Sequence, residues 1–170
     1  FHKFADELEA KDAAGQYAFG APENEKHRVT WEGIAVWTYL GATFKGLKNQ
    51  GAVMTGSAYP GLWSLVYTPG DLESMAEAYT NVYINTCGPN RYEEFYKVVK
   101  NSKSDGIVLH LNRSCKRMGL LNNEGAEYVN AKMGVPYVSF DGDQTDPRVF
   151  TPAQYETRVQ ALTEMMDENQ

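Results

Sequence analysis

The feature that most constrains the fold is a regular alternation of short apolar segments with longer segments of helical periodicity. Residues 105–111, DGIVLHL, are apolar at nearly every position, which is typical of a central parallel strand covered on both faces. Strands are predicted at 27–34, 52–55, 105–111 and 137–140, and helices at 39–49, 71–85, 92–103, 120–133 and 152–168. Because the connections are long enough to cross over, the sequence predicts an α/β fold whose mostly parallel sheet of about four strands is flanked by helices.

Residues 1–26 stand apart from this alternation. Residues 1–13 have the spacing of a short amphipathic helix with Phe4 and Leu8 on one side, and a connector rich in Gly, Pro, Asn and Glu follows. The sequence begins with Phe1 rather than Met. We expect residues 1–26 to lead in from a preceding N-terminal domain and residues 27–170 to form the α/β domain.

Composition excludes several classes of function. The net charge of −6 makes nucleic acid a poor partner, because affinity for nucleic acid rests on Lys and Arg neutralising phosphates. Apolar runs fall short of the roughly 20 residues that cross a bilayer, and no signal peptide is evident, so we expect a cytoplasmic protein without membrane contact. Cys87 and Cys115 have no CxxC partner and form no zinc or redox motif, and Cys87 is interpreted as structural.

The predicted sheet is Rossmann-like or flavodoxin-like, a class in which ligands bind beyond the carboxyl ends of the strands. Those ends carry polar or reactive groups in all four strands. They are Glu32, then Thr55 to Ser57, then Asn112 to Lys116, and then Asp141 to Gln144.

The strongest local motif is HLNRSCK at residues 110–116, in which an apolar strand ends at a cysteine. Arg113, Lys116 and Arg117 flank Cys115, and positive neighbours favour the thiolate, which is the form that binds metals or acts as a nucleophile. The alternative is a small buried residue, since free cysteines are mostly buried. A catalytic pair with His110 is a further alternative, but no third group that would orient the histidine is evident.

Two other motifs follow strands. FDGDQTDPR, at residues 140–148, packs three carboxylates, a Gln and an Arg into one turn, and such residues often only hydrogen-bond the local backbone. MTGSAYPGLW, at residues 54–63, offers the Ser57 and Tyr59 hydroxyls between two glycines, but the chain contains no GxGxxG or Walker pattern. Turn formation is the alternative for both motifs.

Taken together, MTGSAYPGLW, LNRSCK and GVPYVSFDGDQTDPRVFTPAQYETRVQALTEMM resemble the 2-hydroxyacyl-CoA dehydratase and benzoyl-CoA reductase family. The resemblance covers residues 27–168 and favours a dehydratase subunit of the beta type. It implies a heterodimer that, after electron injection by an ATP-hydrolysing iron–sulfur activator, converts an (R)-2-hydroxyacyl-CoA to a 2-enoyl-CoA through a ketyl radical anion on the substrate.

The resemblance also implies site residues. Each subunit of the family holds a four-iron, four-sulfur cluster through three cysteines, and the cysteine of the RSCK motif corresponds to Cys115. The other two ligands are expected from the N-terminal domain, so the present chain is expected to be inactive alone. Asn112 and Ser114 are then expected next to the cofactor, and Ser57, Asp141 and Gln144 are candidates for lining the substrate cavity.

Two alternatives remain open at this point. A benzoyl-CoA reductase type of subunit would use the same cluster to reduce an aromatic ring. A non-catalytic α/β module would dock onto a partner subunit and keep Cys115 buried and inert.

Overall fold

All four predicted strands pair into one sheet in the computed structural model, which describes residues 1–86 and 88–169. They are β1 (His27–Glu32), β2 (Ala52–Ser57), β3 (Gly106–Asn112) and β4 (Tyr137–Gly142). Every neighbouring pair is parallel and the order is β2-β1-β3-β4, which confirms the predicted α/β class. This is the strand order of the flavodoxin-like sheet. β3 is an interior strand, as its apolar sequence predicted.

Helices cover both faces of the sheet. Within residues 1–86 and 88–169 the α-helices are α1 (His2–Ala13), α2 (Leu40–Asn49), α3 (Leu72–Asn81), α4 (Gly88–Asn101), α5 (Lys116–Gly119), α6 (Asn122–Met133) and α7 (Pro152–Glu168). α2 and α7 pack on one face, and α4 and α6 pack together on the other. The core therefore has two layers, one around Trp31 and Phe140 and the other around Phe95 and Leu109.

Three predicted helices have different bounds in the structure. The segment 92–103 becomes α4, which begins at Gly88 and includes Pro89, since proline is tolerated in the first turn of a helix. The predicted helix 71–85 ends at Asn81. The predicted helix 120–133 is preceded by a separate turn, α5, which carries residues 116–119. The interpretation of Cys87 as structural lies outside the described residues.

The sequence predicts N-caps at Asp71 and Thr151, because Asp and Thr are residue types that cap helices. The structure shows a capping hydrogen bond at Asp71 and not at Thr151. The Asp71 side chain accepts hydrogen bonds from the N–H groups of Glu73 and Ser74, which confirms it as the N-cap of α3. Thr151 occupies the N-cap position of α7, but its side chain makes no capping hydrogen bond. Pro152 at the first helical position has no N–H, so one of the four N–H groups that lack a partner at the start of a helix is absent here.

α1 is helical as predicted, but none of its residues is buried. Its predicted apolar side, with Phe4 and Leu8, is exposed. No helix among residues 1–86 and 88–169 has the length and apolar character needed to cross a membrane.

β2 contains an irregularity in its pairing with β1. Val29 pairs with Met54, whereas Thr30 pairs with Gly56, so Thr55 is an extra residue in β2. The Thr55 hydroxyl donates to the Ser102 carbonyl at 3.1 Å, on the side of the sheet that α4 covers. Ser57 pairs with Trp31.

Candidate functional site

The loops that follow β3 and β4 meet through the side chain of Asn112, the last residue of β3. Its Oδ1 accepts hydrogen bonds from the backbone N–H of Ser114 at 3.3 Å and of Gln144 at 3.2 Å. Its Nδ2 donates to Gln144 Oε1 at 3.3 Å, and the side chain is buried. Because parallel strands end at the same edge of a sheet, one amide serves both loops. Asn112 thus fixes the segment that leads to Cys115 relative to the loop after β4.

A buried carboxylate completes this polar network. The Ser114 hydroxyl donates to Asp143 Oδ2, and Asp143 Oδ1 accepts from the N–H groups of Thr145 at 2.8 Å and Asp146 at 2.9 Å. These donors, the Ser114 hydroxyl above all, hold the pKa of Asp143 well below its usual range. Sequence reasoning placed Asp143 in the motif but not among the candidate site residues, and the structure adds it to them.

Cys115 lies directly beside the network, at the N-terminal end of α5. Its N–H donates to the Asn112 carbonyl at 3.3 Å, and its own carbonyl accepts from the N–H of Gly119 at 3.1 Å. The thiol is free and partly exposed, at the margin of the core layer that contains Leu109. Across residues 1–86 and 88–169, no three His, Cys, Asp or Glu side chains lie close enough together to hold a metal ion. Within that part of the chain, Cys115 therefore does not belong to a group of three such ligands.

Two of the catalytic candidates lie outside the hydrogen-bonded network of Asn112, Ser114 and Gln144. Asp141 is at the same edge, but its side chain is exposed and contacts Arg113 Nε at 3.7 Å. Ser57 ends β2, which is separated by two strand spacings, or about 10 Å, from β3, the strand that leads to Cys115. The structure therefore brings Asn112, Ser114 and Gln144 together next to Cys115, and leaves Ser57 at the far end of the sheet edge.

Ser57 instead lines an apolar cavity of about 90 Å³ at the carboxyl ends of β1 and β2. Trp31, Phe44, Met54 and Tyr59 are among its other lining residues. The Ser57 hydroxyl accepts a hydrogen bond from the N–H of Tyr59 at 3.3 Å, a local turn contact. This is the turn-forming alternative that the sequence left open for MTGSAYPGLW.

His110 does not form the catalytic pair with Cys115 that the sequence left as an alternative. Its ring is fully buried, Nδ1 is hydrogen-bonded to the Ile34 carbonyl, and the ring stacks on Phe140 with centroids 5.1 Å apart. Burial lowers the pKa of His110, so the neutral ring is favoured in the fold. In the described part of the chain, its Nε2 has no hydrogen-bond partner.

A second buried polar cluster was not predicted. Glu32, at the end of β1, accepts a hydrogen bond from the Tyr83 hydroxyl at 2.8 Å and lies 3.5 Å from Arg91 of α4. Burial raises the pKa of Glu32, while Arg91 and the Tyr83 hydroxyl act in the opposite direction. Burial and the nearby Glu32 carboxyl raise the pKa of Tyr83. The sequence signal that could have predicted the burial of Arg91 is its spacing. Arg91, Phe95 and Val99 recur every four residues and are all buried on one face of α4.

The strand order and the polar carboxyl edge define a doubly wound α/β domain of the flavodoxin-like class. Residues 1–166 match the family described as HGD-D: 2-hydroxyglutaryl-CoA dehydratase, D-component. The chain belongs to this family, which confirms the resemblance drawn from its three motifs.

The names of several relatives agree with this family. The chain is 58% identical to the lactoyl-CoA dehydratase subunit alpha of Anaerotignum propionicum, and this match covers 99% of the chain and 40% of the relative. It is 41% identical to the (R)-2-hydroxyisocaproyl-CoA dehydratase alpha subunit of Clostridioides difficile, over 99% of the chain and 41% of the relative. Identity to a benzoyl-CoA reductase subunit of Thauera aromatica is 26%, over 88% of the chain and 36% of the relative.

The relatives also bear on the expected subunit type and on how much of a whole subunit the chain represents. The dehydratase relatives are named alpha subunits, so the expected beta type is not confirmed. The chain spans about 40% of the length of the lactoyl-CoA and (R)-2-hydroxyisocaproyl-CoA dehydratase alpha subunits that it matches.

Proposed function

We propose that this chain is the C-terminal α/β part of one subunit of an ATP-activated, iron–sulfur-dependent (R)-2-hydroxyacyl-CoA dehydratase. The enzyme would remove water from an (R)-2-hydroxyacyl-CoA to give a 2-enoyl-CoA. Family membership and the names of the dehydratase relatives support the reaction class. The observation that carries the proposal is the partly exposed Cys115 thiol at the carboxyl edge of a parallel sheet.

Cys115 suits one ligand position of a four-iron, four-sulfur cluster, the cofactor that the resemblance implies. Such clusters are held by cysteine thiolates, and a free, partly exposed thiol is accessible to one. No three potential ligands converge among the described residues. We therefore propose that two further cysteine ligands of the cluster come from a preceding N-terminal domain. When bound, the cluster would supply low-potential one-electron chemistry.

The other candidates receive different roles. Asn112 and Ser114 would hold the backbone that presents Cys115, since both are hydrogen-bonded to the loop after β4. Gln144 belongs to the same network and stays a candidate for contact with substrate or cofactor. Asp141 is exposed at the same edge and also stays a candidate. For Ser57, whose strand is about 10 Å from β3 along the sheet edge, we propose no direct role beside Cys115.

The proposed assembly includes three partners. A second dehydratase subunit is supported by the relatives, whose names identify them as alpha subunits. The acyl-CoA substrate is supported by the same names. The ATP-dependent iron–sulfur activator rests on the family resemblance alone.

The test is the iron and acid-labile sulfide content of the full-length protein, isolated with its partner subunit in the absence of oxygen. We expect a cluster in the parent and its loss, or a large reduction in iron, in the Cys115→Ala variant. The matched control is Cys87→Ala, which removes the other cysteine of the chain and is expected to retain the iron.

Two outcomes would contradict the proposal. An iron-free parent, or a Cys115→Ala variant with unchanged iron, would remove Cys115 as a ligand and favour a docking module. A parent with the cluster that reduces an aromatic ring instead of dehydrating a 2-hydroxyacyl-CoA would point to the reductase class.

A further inference from the structure

The turn that begins at Cys115 depends on contacts from elsewhere in the fold. α5 has only four residues, Lys116–Gly119, and no side chain caps it at Cys115. A helix this short is unstable by itself, because nucleation fixes several residues for few hydrogen bonds. Its position must therefore be set by tertiary contacts, and Met118, buried in the core, supplies one of them.

The second tertiary contact is a buried guanidinium. Arg91 is 1% exposed, and its Nη1 donates to the Arg117 carbonyl at 3.2 Å while its Nη2 donates to the Met118 carbonyl at 3.4 Å. Nη2 also donates to Asn122 Oδ1 at 2.9 Å, at the start of α6. The carbonyls at the end of a helix lack partners within the helix, so Arg91 satisfies two such groups of α5 and links them to α6.

Arg91 is itself held in place from the sheet. Its Nη2 lies 3.5 Å from Glu32 Oε1, and the guanidinium carbon lies 4.8 Å from the centre of the Tyr83 ring. The Tyr83 hydroxyl donates to the same Glu32 oxygen. A planar guanidinium can direct several donors in fixed directions at once, which the compact ammonium group of lysine cannot do.

We propose that Arg91 is a positioning residue for Cys115, holding α5 so that the thiol at its start has one fixed position at the carboxyl edge of the sheet. This inference rests on the proposed function for the statement that the thiol binds a cluster. The alternative is that Arg91 serves only the stability of the core through its pairing with Glu32. The positioning role and the purely structural role predict different effects of a conservative substitution of Arg91. If Arg91 positions Cys115, the substitution loosens α5 alone, whereas if Arg91 only stabilises the core, it loosens the whole sheet.

The first test is hydrogen exchange of the full-length protein in complex with its partner subunit, comparing the parent with Arg91→Lys. Lysine keeps the charge beside Glu32 but cannot donate to both α5 carbonyls in the same geometry. We expect exchange about tenfold faster in a peptide spanning residues 114–121, since a hydrogen bond from a charged donor contributes roughly that factor. The strand peptide 106–111 should be unchanged. Arg28→Lys, the same change on an exposed arginine at the other end of β1, is the control and should match the parent.

The second test measures the reduction potential and the electron paramagnetic resonance spectrum of the cluster in the same proteins. We expect a shift in Arg91→Lys and none in Arg28→Lys. Unchanged exchange in residues 114–121, or equal acceleration in residues 106–111, overturns the positioning role whether or not iron is present. The positioning role is also overturned if exchange is faster in Arg91→Lys while the reduction potential and spectrum of the cluster are unchanged. This outcome applies where the Cys115→Ala variant has shown that the iron of the parent depends on Cys115.

Failure of the proposed function has a different signature, since it appears as an iron-free parent or an unaffected Cys115→Ala variant. If Arg91→Lys does not yield folded protein, Glu32→Gln replaces it, because it removes the charge that orients Arg91 and leaves the arginine itself in place. A smaller acceleration confined to residues 114–121 is then expected. Parent-like exchange in that segment overturns the inference.

Discussion

The two ends of the carboxyl edge of the sheet are built differently. After β3 and β4, polar side chains are hydrogen-bonded to one another, and the buried Asn112 serves both loops. After β1 and β2, the exposed surface is apolar, with Trp37 48% and Trp63 71% exposed, and Ser57 makes a local turn contact, while the polar group that ends β1, Glu32, is buried. Residues that end successive strands of the sequence therefore lie at one edge of the sheet without belonging to one site. Strand order decides which of them meet.

The largest expected difference between the two ends is in the loss of unfolding free energy when a glycine is replaced by alanine. A Cβ on Gly142, at the end of β4, would lie 2.5 Å from His110 Nε2 and 2.9 Å from its Cδ2. We expect Gly142→Ala to lower the free energy of unfolding by about 3 kcal/mol, because the buried ring has no room to move. Gly61, after β2, has open space around it, and Gly61→Ala should change the value by less than about 1 kcal/mol. Urea unfolding of both variants decides this, and equal losses would break the comparison.

A smaller difference is expected between Asn112→Ala and Ser57→Ala. The first leaves the N–H groups of Ser114 and Gln144 without their acceptor, and we expect a loss of about 2 kcal/mol in the free energy of unfolding. The second removes one long hydrogen bond, from Tyr59, and should cost about 0.5 kcal/mol. The measurement is again urea unfolding. A Ser57→Ala loss as large as that of Asn112→Ala would mean that the β2 end is as tightly organised as the β3 end.

The smallest expected effect is a pH dependence within the polar end. The pKa of Asp143 is lower in the folded protein than in the unfolded chain, so the folded state holds fewer protons there as the pH falls. The stabilisation is present above the ordinary aspartate pKa of about 3.9 and declines as the pH falls below it. We expect Asp143→Asn to be less stable at neutral pH and to lose this part of the acid sensitivity.

Thermal unfolding between about pH 3 and pH 7 measures the effect. The control is Asp141→Asn, two residues away, whose exposed contact with Arg113 contributes little. The Asp141→Asn curve should follow that of the parent. If the two variants give the same curve, the buried hydrogen bonds of Asp143 do not carry the pH dependence.

Much of the fold could be predicted because hydrophobic periodicity is local. The apolar run 105–111 predicted an interior parallel strand, and Asp71 predicted the start of α3. The split between α5 and α6 was missed, because it depends on the burial of Met118 of α5 in the core and on Arg91 of α4, which donates to the turn from another element. A buried arginine on an otherwise apolar helix face has no local signal stronger than its spacing.

The site could be predicted only in part for the same reason. Asn112 and Ser114 were expected next to the cofactor, and Gln144 was a candidate for lining the substrate cavity. All three lie at the carboxyl ends of β3 and β4, which are neighbours in the sheet. Ser57 was a candidate for lining the same cavity as Gln144. Its strand, β2, lies two strands from β3 and three from β4, and no local pattern encodes strand order. Asp141 and Asp143 differ in burial, and the sequence alone did not show which of the two carboxylates turns inward.

The extra residue in β2 has a consequence for how related chains should be aligned. Thr55 and Gly56 together occupy the place opposite Thr30, so one of the two is not needed for the pairing on either side. A homologue shorter by one residue at this point could keep Met54 beside Val29 and Ser57 beside Trp31. A single-residue gap in an alignment therefore belongs between positions 54 and 57, where it leaves the pairing of both flanking residues unchanged.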